Sequence, residues 1–74
     1  MDEKVRKKMI EVVDKAYDKG YSKESTRIIV TIVCSERAVE LGYAPVDGLN
    51  LAIKNIEKYQ NEKDCINSLI EIIK

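Results

Sequence analysis

Apolar residues return along this chain at intervals of three and four, and they do so in four separate tracts. The first runs Val5, Met9, Val12, Val13, Ala16, Tyr17, which is the stripe of an amphipathic helix. Its other side carries Lys7, Lys8, Glu11, Lys15 and Asp18, with Glu3–Lys7 and Glu11–Lys15 in the acid-first order that supports a helix. Asp2 is a good N-cap for it. A later tract, Val46, Leu49, Ala52, Ile53, Ile56, Tyr59, opens with Pro45, which suits a first helical position. Asp47 places a negative charge where the helix dipole favours it, and Gly48 is expected to weaken that first turn. The last tract, Ile66, Leu69, Ile70, Ile73, follows Asn61 as its cap.

The remaining tract, Ile28-Ile29-Val30-Thr31-Ile32-Val33-Cys34, contains six β-branched residues, and local propensity alone favours a strand there. A single strand among helices would leave backbone polar groups unpaired, at about 1–3 kcal/mol each. A helix that is apolar on nearly every side, and therefore buried and central, is the expectation. The alternative is a strand pairing across a symmetric dimer. Ser22 caps the segment, and it is expected to continue to Leu41.

Its end is marked by a motif that occurs twice. Asp14-Lys15-Ala16-Tyr17-Asp18-Lys19-Gly20-Tyr21 is answered by Glu36-Arg37-Ala38-Val39-Glu40-Leu41-Gly42-Tyr43. In each copy a glycine stands where a helix stops in the left-handed conformation, and the following tyrosine can fold back over the alanine one turn earlier. The 22-residue spacing is shorter than that of the common helical repeats, and the flanks diverge, so two independent helix stops are the expectation. The predicted fold is all-α: a compact four-helix bundle in one domain of residues 1–74. The predicted helices are 3–19, 23–41, 46–59 and 62–73, with the second central and largely buried.

Composition changes this picture little. Thirteen basic residues balance thirteen acidic ones, so no global field draws the chain to nucleic acid or anionic lipid. The longest unbroken apolar run, Ile28 to Val30, is far below the roughly 20 residues of a membrane span. Met1-Asp2-Glu3-Lys4 offers no apolar signal core, and a cytoplasmic location is expected. Cys34 and Cys65 stand in apolar settings and are expected to be reduced core residues.

Candidate chemistry is sparse. The chain has no histidine, so the commonest general base and metal ligand are missing. Neither cysteine has a second Cys or His nearby, and the three glycines form no phosphate loop. No metal, no cofactor and no enzyme activity are expected. Cys34-Ser35-Glu36-Arg37 gathers a nucleophile, an acid and a base, yet on one helix Cys34 and Glu36 would point apart. Asp14 with Asp18, and Glu36 with Glu40, are carboxylate pairs at helical spacing, read as solvated faces. Lys4, Arg6, Lys7 and Lys8 are the candidate nucleic-acid contacts, with no interleaved aromatic residue to stack on bases. Ser22, Ser25 and Thr26 near a helix start are candidate modification sites beside Arg27.

Two short stretches resemble known families. Arg6-Lys7-Lys8-Met9-Ile10-Glu11 with Gly20-Tyr21-Ser22 is similar to the small sporulation-regulatory aspartyl-phosphate phosphatases, whose second helix carries Ser-x-x-Leu-Asp. Here Ser35 is followed by Glu36, Arg37, Ala38 and Val39, and membership is not assigned. Lys19-Gly20-Tyr21, Pro45 and Lys58-Tyr59 resemble the IreB family of kinase-regulated phosphoproteins, but alignment needs an insertion.

The functional expectation is a small protein–protein interaction module: a regulator, adaptor or inhibitor docking through an apolar helix face. Ile29, Val30, Val33 and Cys34 are the candidate interface, with another protein or a second copy of the chain (a homodimer) as the partner. A weak nucleic-acid-binding accessory protein using the basic first helix is the alternative. No membrane association is expected.

Overall fold

The computed structural model describes residues 2–74. Its helices are α1 (Glu3–Asp18), α2 (Lys23–Val33), α3 (Glu36–Glu40), α4 (Pro45–Lys58) and α5 (Glu62–Ile73). Four of them pack as an all-α bundle, and α3 is a single short turn. There is no strand among the described residues, and Ile28 to Val33 lie in α2. The helix expectation for this tract therefore holds against its β propensity, whereas the expected burial on nearly every side does not.

The caps fall where the sequence places them. The Asp2 carboxylate accepts the Lys4 backbone N–H at 2.8 Å, Ser22 Oγ accepts that of Ser25 at 3.0 Å, and Asn61 Oδ1 accepts those of Lys63 and Asp64. Both doubled motifs end in the same hydrogen-bond pair. Gly20 N–H donates to Tyr17 C=O and Tyr21 N–H to Ala16 C=O, each at 2.9 Å. Gly42 N–H donates to Val39 C=O and Tyr43 N–H to Ala38 C=O, also at 2.9 Å. This is the Schellman arrangement, and it requires the glycine to be left-handed. Gly20 has φ +85° and Gly42 φ +97°. Ala16 and Ala38 are fully buried.

One expected boundary is corrected. The helix expected over 23–41 is two helices, broken at Cys34-Ser35. Ser35 supplies the reason: its hydroxyl donates to Ile32 C=O at 2.8 Å and accepts the Ala38 N–H at 3.2 Å. A serine that offers the backbone two local partners competes with continuous helix and starts a new one. With the break in place, Arg37 Nε reaches the C-terminal end of α5 and donates to Lys74 C=O at 3.0 Å.

Helices α2 and α4 form the central pair, with α1 and α5 each packed against both of them. The result is a flattened body of 28 × 27 × 19 Å. Burial on α2 is one-sided. Ile29 and Val33 are fully buried, whereas Ile28 is 39% exposed and Thr31 is exposed. The core adds Val12 and Ala16 from α1, Leu49, Ala52 and Ile56 from α4, and Cys65 and Leu69 from α5. Each large aliphatic side chain so buried contributes about 1.5–3 kcal/mol. Gly48 has a packing role beside its cost in helix propensity. It is buried against Val33, where its lack of a side chain lets α4 approach α2.

A polar seam closes one end of the bundle. The Tyr21 hydroxyl donates to Tyr59 C=O, tying the α1–α2 turn to the α4–α5 turn. Beside it, Ser22 N–H donates to Glu62 Oε1 at 2.7 Å and Lys19 Nζ donates to Glu57 C=O at 3.2 Å.

Candidate functional site

The turn at Gly20 sends α2 back along α1, and the pairing of the two helices leaves a groove between them. Spacing explains how. The apolar stripe of α1 is two residues wide, because Val12–Val13 and Ala16–Tyr17 are adjacent pairs. Val12 and Ala16 go to the core at 0% exposure, and their neighbours Val13 and Tyr17 face the groove. Met9, Val13 and Tyr17, four residues apart, form the α1 wall, and Thr26 and Val30 form the α2 wall. The groove encloses about 280 Å³. Tyr17 is 48% exposed, and so is Ile10, which lies three residues before Val13 on the same side of α1.

Lys23 and Arg27, one turn apart on α2, border the groove. A second depression beside it, of about 320 Å³, is lined by Lys23, Glu24 and Arg27. Arg6, Lys8, Lys15, Arg37 and Lys74 each pair with a carboxylate. Lys23 and Arg27 have no acidic partner among the described residues.

The expected interface residues separate. Ile29 and Val33 are fully buried inside the chain and have no surface to offer a partner. Val30 is half-buried and lines the groove. Cys34 is exposed, not a core residue, because α2 ends at Val33 and the chain turns there. Cys65 does sit in the core, and burial pushes its thiol above the usual range, which leaves it a poor nucleophile near neutrality.

Of the basic cluster, Lys4, Arg6 and Lys7 are exposed and Lys8 is half-buried. Arg6 is 2.7 Å from Glu3 and Lys8 is 3.5 Å from Glu11, so two of the four cations already face an acid on their own helix. Two of the three hydroxyls near the start of α2 serve the backbone: Ser22 caps the helix, and buried Thr26 donates to Ser22 C=O at 2.8 Å. No group of three metal-ligating side chains exists among the described residues. No helix there is long and apolar enough to cross a membrane.

The sequence pattern does not separate the groove from the core, because Met9, Val13 and Tyr17 share one stripe with Val12 and Ala16. Its signal was the width of that stripe, which exceeds what the core-facing side of one helix can bury. Comparison of the chain with models of known protein families, with curated proteins and with solved structures finds no match.

Proposed function

We propose that this protein is a small interaction module, a regulator, adaptor or inhibitor, that docks another protein along the α1/α2 groove. What supports this is an apolar strip built from two helices and left open beside the core. Hydrophobic strips of this kind, rimmed by polar groups, mark docking surfaces. A half-exposed tyrosine on such a surface is a common anchor. A second copy of the chain is the other candidate occupant. The absence of histidine from the sequence and the buried state of Cys65 favour a binding role over a catalytic one.

The nucleic-acid reading through Lys4, Arg6, Lys7 and Lys8 has less support, since phosphate contacts would compete with the Glu3–Arg6 and Glu11–Lys8 pairs. Charge reversal at all four that left affinity for duplex and single strands unchanged would eliminate it.

The test of docking uses a partner purified and recombined with the pure protein. Tyr17→Ser is expected to weaken binding at least tenfold while the thermal melt stays at the parent's value, because Tyr17 is half exposed. Light scattering across a wide concentration range reads self-association in the same two proteins. Unchanged affinity in Tyr17→Ser would overturn the groove as the docking surface.

A further inference from the structure

The groove also carries information about what fits it. We infer that its occupant is an amphipathic helix of a partner protein that carries acidic residues beside its apolar anchors. This inference rests on the groove being a docking surface and adds the chemistry of the partner.

The first argument is shape. The exposed apolar strip on α1 runs from Ile10 through Val13 to Tyr17, about 10 Å at 1.5 Å per residue. That is two helical turns, the length over which a docked helix presents anchors at i, i+3 or i+4, and i+7. Both walls are themselves helices, with side chains in rows that an incoming helix can interdigitate with. An extended peptide would gain no sheet edge, since the described residues contain no strand.

Charge supplies the second argument. Lys23 and Arg27 stand on the α2 side of the groove, and of the cations without an ion pair among the described residues these two line it. Glu24, their neighbour, is in ion-pair contact with neither. Spaced by four residues, the two cations lie one above the other along the groove. Carboxylates one turn apart on an incoming helix would meet them in register. Arg27 can take a carboxylate bidentately, and Lys23 acts as a point charge. Complementary charge at a rim selects partners and speeds encounter more than it adds affinity. The groove is therefore expected to discriminate strongly against a basic helix with the same apolar face.

A displayed library of random peptides about 15 residues long, enough for a marginal helix, tests this without a known partner. Four pure proteins serve as baits: the parent, Tyr17→Ser, Arg27→Ala, and the double reversal Lys23→Glu with Arg27→Glu. The substituted side chains are exposed, so all four should give the same melt. Parent-selected binders are expected to show apolar residues at helical spacing with two or more Asp or Glu beside them. Their affinity should fall at least tenfold against the double reversal and against Tyr17→Ser, and should fall less for Arg27→Ala. Binders that need Tyr17 but are neutral or basic would overturn the acidic-helix inference and leave the groove reading standing. Binders indifferent to Tyr17, or no enrichment over an empty support, would overturn both.

Discussion

Gly48 in the first turn of α4 lies so close to the carbonyl oxygen of Val33, in the last turn of α2, that a methyl group would not fit between them. Two effects compete when alanine is placed there. Helix propensity favours alanine over glycine by about 1 kcal/mol. Overpacking a close contact costs about 1–3 kcal/mol, and the obstructing atom is backbone, which cannot rotate aside. Gly48→Ala is therefore expected to destabilise, with a lower urea midpoint and an unchanged slope. A gain in stability would mean that the α2/α4 crossing is looser than the structure has it.

Gly20 and Gly42 pose the opposite problem. A Cβ at either would meet nothing within 4 Å, and the constraint there is the positive φ. Valine at each should cost more than about 1 kcal/mol, since a β-branched residue tolerates the left-handed region badly. Asparagine, which enters that region more readily, should recover much of the loss at both sites and none at Gly48. Thermal melts of the valine and asparagine variants at all three glycines would check this. Equal behaviour at the three positions would show that one mechanism serves them all.

The contrast between these glycines also explains what the sequence disclosed. Local devices were legible: Asp2, Ser22 and Asn61 as caps, the two Gly-Tyr stops, and the four apolar periodicities depend on residues within a turn of one another. Gly48 was legible only as a weak helix former, because its role depends on Val33 from another helix. Ser35 lies in plain view, but the next helix stop after Ser22 is at Gly42, which makes one long helix the simpler expectation. Its two hydrogen bonds to Ile32 and Ala38 decide otherwise. The groove escaped for a similar reason. Which half of a wide stripe meets the core is set by how α4 and α2 pack on α1.

Asn55 and Ile56 are adjacent buried residues of α4 with opposite expected costs. Ile56 is fully buried, and Ile56→Ala should lose about 2–5 kcal/mol through lost burial and the cavity it leaves. Asn55 is 6% exposed, and its Nδ2 finds no acceptor among the described residues. A buried unpaired donor is itself costly, at about 1–3 kcal/mol. Asn55→Ala removes that penalty while opening a smaller cavity, so it should cost less than about 1 kcal/mol or stabilise slightly. Urea titration of both variants checks the ordering, and a loss for Asn55→Ala as large as for Ile56→Ala would mean that the amide is hydrogen-bonded after all.

The Tyr21 hydroxyl should make stability fall in alkali. Burial holds its phenol above the ordinary value of 10.0, with Cys65, Glu62 and Asp64 acting in the same direction. Below pH 10 the phenol is neutral in the folded and unfolded chain alike, and its bond to Tyr59 C=O contributes in full. Above pH 10 the unfolded chain releases the proton while the native state retains it, so stability declines as pH rises. Phenylalanine carries no such proton. Tyr21→Phe should cost about 1 kcal/mol at pH 7, the net worth of one hydrogen bond. The gap between parent and variant should then narrow from pH 10 upward. Urea midpoints of the two proteins from neutral pH to pH 11 give the answer, and a gap that stays constant would show that the folded protein does not hold the phenol neutral.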